Sequence, residues 1–68
     1  MVDLRSVTDP AELGAMVRAL RAEKGLPRSA VARAAGLSES TIKNVEKGTH
    51  RATGATRAAI ARVLQPPT

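Results

Sequence analysis

Twenty residues, Arg28 to Lys47, read RSAVARAAGLSESTIKNVEK and leave the backbone few choices. They predict two short helices joined by a tight turn. Gly36 stands where the first must stop, in the left-handed conformation that glycine adopts most cheaply. Ser38 then caps the second by accepting a hydrogen bond from a free backbone N–H. Val31, Ala35, Leu37, Ile42 and Val45 form one apolar seam across both helices, and Ala32 is small where their axes must come close. The opposite face carries Ser40, Lys43, Asn44 and Lys47. Such a helix-turn-helix shows the polar face of its second helix to a partner.

The rest of the chain must bury that seam, and it has little to do so with. Sixty-eight residues make one small domain near the lower limit for unaided folding. With no Phe, Tyr or Trp, the core rests on Leu, Val, Ile, Met and Ala, which predicts modest stability and close helix packing. The absence of Cys and the single His exclude a disulfide framework and a Cys/His metal site. No apolar run approaches a membrane span, and no signal peptide is evident.

Charge is unevenly spread. Residues 1–23 hold three arginines against four acids, a net of −1, whereas residues 24–68 hold eight cations against Glu39 and Glu46, a net of +6. A basic half of this kind points to a polyanion. No amphipathic Lys/Trp/Phe helix favours a membrane, so nucleic acid is the expected partner.

Along the chain, residues 1–8 read as an N-terminal tail with weak apolar alternation at Val2, Leu4 and Val7, either fraying or packing on the domain. The first helix begins at Asp9-Pro10-Ala11-Glu12, where Asp9 caps and Pro10 suits the first helical position. Leu13, Met16, Val17 and Leu20 form its buried stripe, and Lys24-Gly25 ends it. Helices over about 28–35 and 38–47 follow, then a polar basic loop at 49–53. A last helix covers about 53–65, with Ala58, Ile60, Ala61 and Leu64 inward, and Pro66-Pro67 opens a C-terminal tail over 66–68. The prediction is an all-α bundle of four, at most five, short helices within residues 9–65.

With the helices placed, the chain resembles the XRE-like helix-turn-helix proteins, the phage lambda repressor and Cro family. The likeness runs from Leu13 to Leu64 and rests on LGAMVRALRAEKGL, SAVARAAGLSESTIKNVEKG and the closing IARVL. It implies a compact all-α lambda-repressor-like domain whose third helix, about 38–47, enters the DNA major groove. By position it places Glu39, Ser40 and Asn44 at base edges. Asn44 suits adenine, Ser40 suits several bases, and Glu39 either accepts from cytosine or simply favours its helix dipole. Arg28, Ser38, Thr41, Lys43, Lys47, Thr49, His50 and Arg51 fall to phosphates, with Arg28 replacing the family's usual glutamine. Arg21 and Glu46 match positions where the family often places an ion pair.

Three departures accompany the likeness. Pro27 stands where a capping serine is common, and Gly54 and Arg57 stand where leucine is usual. The chain also stops where the family usually continues into a fifth helix that helps form a dimer, so a homodimer stays an open expectation. The leading reading is a sequence-specific transcriptional regulator that binds double-stranded DNA in the cytoplasm, needs no cofactor and carries no catalytic residue. The alternative is a partner-protein module, such as the antitoxin half of a toxin–antitoxin pair. An enzyme is rejected because the lone His50 has no paired acid and no Gly-rich phosphate loop is present.

Overall fold

The computed structural model describes residues 2–66; Met1 and the last two residues of the 66–68 tail lie outside them. A 3-10 turn at Leu4–Ser6 precedes four helices: α1 at Pro10–Lys24, α2 at Arg28–Ala35, α3 at Glu39–Lys47 and α4 at Gly54–Leu64. No strand occurs among the described residues. Three of the four helices start at a side-chain cap. Asp9, Ser38 and Thr53 accept from the backbone N–H three residues on, at 3.0, 3.1 and 3.1 Å. Pro27 offers α2 no side-chain cap. Gly54 occupies the first position of α4, where the N–H has no intrahelical partner anyway, so glycine costs that helix little.

The ends are as well defined. Gly25 and Gly36 adopt φ of 67° and 70°, and the following leucines close the turn: Leu26 N–H reaches Arg21 O at 3.0 Å and Leu37 N–H reaches Ala32 O at 2.8 Å. Both leucines then fold back against the core, completing the helix-end motif. The α2–turn–α3 unit is therefore specified on both sides of Gly36.

The core is built from Leu4, Leu13, Val17, Val31, Ile42, Val45, Ile60, Ala61 and Leu64, with Met16, Leu20 and Leu37 packed against it. Ile60, Ala61 and Leu64 are buried on α4 as expected, while Ala59 is buried where Ala58 was expected and Ala58 is half-buried.

The N-terminal segment belongs to this core. Leu4 is fully buried and Val7 nearly so, and the turn packs on α4 and α1. Gln65 clamps it: its Oε1 accepts from Leu4 N–H at 2.7 Å and its Nε2 donates to Val2 O at 3.0 Å. Arg57 adds a second tie, donating from Nε to Arg5 O at 3.1 Å and from Nη1 to Ala52 O at 2.8 Å. Arg57, at a position where leucine is usual in the family it resembles, thus fastens the segment that supplies Leu4 and Val7.

Candidate nucleic-acid interface

The second helix of the motif, α3, is amphipathic by its own sequence. Ile42, Val45 and Glu46 face inward, Glu39, Ser40, Lys43 and Lys47 are exposed, and Thr41 and Asn44 are half-buried at the boundary. Ser38 Oγ lies 2.8 Å from Thr41 Oγ1, so those two hydroxyls are joined to each other as well as to the helix start.

Two shallow clefts flank this helix and divide the expected site residues. One is lined by Arg28, Glu39, Ser40 and Lys43. The other, against the loop leading into α4, brings Thr41 and Asn44 beside His50, Arg51, Ala52, Thr53 and Thr56. Glu39 and Ser40 thus share a wall with two cations, while Asn44 sits apart from them with the loop. Lys47 and Thr49 are exposed but line neither cleft. Thr53 and Thr56 were not singled out as site residues from sequence, where Thr53 reads as the junction of the polar loop and the last helix and Thr56 as part of that helix.

Behind α3 lies a brace more elaborate than one ion pair. Glu46 is almost wholly buried, and its carboxylate takes three hydrogen bonds. Arg21 donates from Nε to Oε2 at 2.7 Å and from Nη2 to Oε1 at 3.1 Å, and Arg28 Nε donates to Oε1 at 3.1 Å. Arg21 also holds Leu26 O through Nη1 at 3.0 Å. Arg18, which sequence reasoning missed, donates from Nη1 to the main-chain carbonyl of Glu46 at 2.6 Å and so satisfies the open end of α3. Gly14, one turn earlier on α1, lets the helix lie directly on the carbonyls of Val45 and Glu46. Positions 14, 18 and 21 share one face of α1, and that face grips the C-terminal end of α3.

Burial alone would push the Glu46 carboxyl up, but the hydrogen bonds from Arg21 and then Arg28 outweigh it and hold the group below its ordinary 4.5. The sign of the pH effect follows. A carboxyl depressed in the folded state contributes stability above the unfolded value and loses it as pH falls through the folded one. Denaturation midpoints compared from about pH 6 to about pH 3 should therefore show wild type and Glu46→Gln converging below about pH 4.5. A constant gap across that range would mean that Glu46 is not the carboxylate responsible.

Among the described residues no group of His, Asp or Glu is arranged to hold a metal, and no helix is long and apolar enough to cross a membrane. No curated protein and no solved structure matches the chain. A family model described as a helix-turn-helix domain matches residues 12–67, from the first turn of α1 through α4. Glycine turn, capped α3 and braced polar face are the features such a model spans, and the chain belongs to the helix-turn-helix domain family, a family of DNA-binding domains.

Proposed function

We propose that this protein is a sequence-specific transcriptional regulator that sets α3 in the major groove of double-stranded DNA. The observation that carries the reading is the pair of clefts on either side of α3. One brings Ser40 together with the cations Arg28 and Lys43, and the other brings Asn44 together with Arg51. Hydrogen-bonding groups suit base edges and the cations beside them suit phosphates, so each cleft pairs a candidate reader with a candidate anchor. Glu39 shares its cleft with Arg28 and Lys43, whose charge offsets the repulsion a phosphate would exert on it, and this favours its role at a cytosine N4. Ser38, Thr41, Lys47, Thr49 and His50 complete the phosphate set.

The partner-protein alternative, with or without DNA binding, drew on a weak last helix and an apolar tail that would leave surface for another chain. Leu4 and Val7 are instead spent on the protein's own core, and among the described residues Val2 is the one large hydrophobic left exposed. DNA is therefore the preferred partner. Binding places the protein in the cytoplasm with the nucleoid, and two copies would read half-sites about one helical turn apart.

Selection of bound duplexes from a random library tests the reading, and no enrichment would refute it. On the enriched duplex, Asn44→Ala should relax preference at one or two base positions, at about 1–3 kcal/mol for the lost contact. Lys43→Ala should weaken all sequences alike and lower the salt slope by about one. Reversed effects would sink the assignment of roles.

A further inference from the structure

Arg28 stands in two places at once. It is the first residue of α2, it lines the cleft shared with Glu39, Ser40 and Lys43, and its Nε is bonded to the buried carboxylate that braces α3. One carboxylate cannot neutralise two guanidinium groups, so Arg21, Arg28 and Glu46 together keep one surplus positive charge. That charge is displayed at Arg28, whose side chain is 39% exposed against 22% for Arg21. Among the described residues the Nη atoms of Arg28 make no hydrogen bond, although the opposite edge of the same plane is anchored. A guanidinium is a rigid fork whose separate edges hold two acceptors at a fixed distance and angle, whereas an ammonium gathers its three donors at one point on a flexible stem and fixes neither.

We propose that Arg28 is a positioning residue for the recognition helix as well as a phosphate contact: its Nη edge takes a DNA phosphate while its Nε stays on Glu46, tying the backbone of the duplex to the brace that sets the tilt of α3. The role presupposes the DNA-reading function above. Its consequence is that phosphate engagement at Arg28 acts on specificity and not only on affinity. A phosphate seated there fixes the distance between the duplex and the inner face of α3, and so the depth at which Ser40 and Asn44 meet the bases.

Two measurements decide it, using the whole chain, the library-enriched duplex and a random-sequence duplex of equal length. In Arg28→Lys, charge and reach are kept but the two-edged grip is lost. Whatever affinity is lost on both duplexes through the altered phosphate contact, the preference for the enriched duplex over the random one should fall about tenfold, a shift equal to one base contact weakened by helix displacement. An unchanged preference, whether affinity is retained or lowered on both duplexes, overturns the proposal. In parallel, the Arg28 Nε–H signal followed by nitrogen NMR should persist when the enriched duplex is added. Its loss on binding would show Arg28 leaving Glu46 for the phosphate, a swap rather than a bridge, and would equally overturn it. A wild-type protein with no preferred duplex removes the DNA-reading function itself and the positioning role with it. A clear wild-type preference that Arg28→Lys leaves intact defeats the positioning role alone.

Discussion

Gly14→Ala is expected to cost about 3 kcal/mol or more, a large share of the roughly 3–10 kcal/mol expected of a domain of 68 residues. A Cβ at this position would lie 2.6 Å from Val45 O and 2.7 Å from Glu46 O, with Glu46 C at 3.0 Å. All three obstacles are backbone atoms in the last turn of α3, so no rotamer change can relieve the clash. Either α1 moves off α3 or the end of α3 unwinds, and both pull Arg18 and Arg21 from their partners on Glu46. The usual penalty for overpacking assumes neighbours that can yield, and here they are the least yielding kind. Gly36→Ala is the informative comparison. Nothing lies within 4 Å of its would-be Cβ, yet its φ is +70°, so its cost is conformational, about 1–2 kcal/mol. Urea denaturation followed by circular dichroism should rank Gly14→Ala well below Gly36→Ala. Comparable midpoints would mean that α1 does not rest on α3 as closely as described.

The contrast between those glycines shows what a single sequence can and cannot disclose. Gly36 announces itself, because a glycine between an apolar seam and a capping serine has one local explanation. Gly14 sits inside a helix whose caps and stripe are strong, and its reason lies in a helix more than thirty residues away. The local signal was only that a glycine interrupts a good helix, which weakens the helix by about 1 kcal/mol and asks for a packing cause. Arg28 was legible as a cation on the outer face. Its second bond to Glu46 depends on how α2 leaves the Gly25 turn, which pattern reading does not deliver. The N-terminal segment was ambiguous for a similar reason. Alternating Val2, Leu4 and Val7 fit a tail or a packed strap, and the choice is made by Gln65 and Arg57 at the far end of the chain. Helix boundaries, by contrast, follow caps and glycines close in sequence, and these were readable to within a residue.

The second large effect is expected at Arg21, and its size depends on which partner of the brace is removed. Arg21→Ala takes away two of the three hydrogen bonds on the Glu46 carboxylate, which is 1% exposed in the wild type, and leaves it beside Arg28 alone. Two of its donors are then lost in a mostly buried setting, so the cost should be about 3 kcal/mol, at the lower end of the range for a broken buried pair because one guanidinium remains. Glu46→Gln is the milder change. It leaves two arginines that are 22% and 39% exposed, both able to turn to solvent, and the new amide can still accept one bond, so about 1–2 kcal/mol is expected. Replacing both partners, Arg21→Met with Glu46→Leu, should be less damaging than Arg21→Met alone, because no charge is then stranded in the core. That inversion is what chemical denaturation of wild type, Arg21→Met, Glu46→Leu and the double variant should read. Additive losses would show that the two residues act independently and that the brace contributes no coupling. Acidity supplies an internal check, since protonating Glu46 relieves the stranded carboxylate in Arg21→Ala while removing the ion pair from wild type. The gap between those two proteins should shrink as pH falls, even though both become less stable through their other carboxylates.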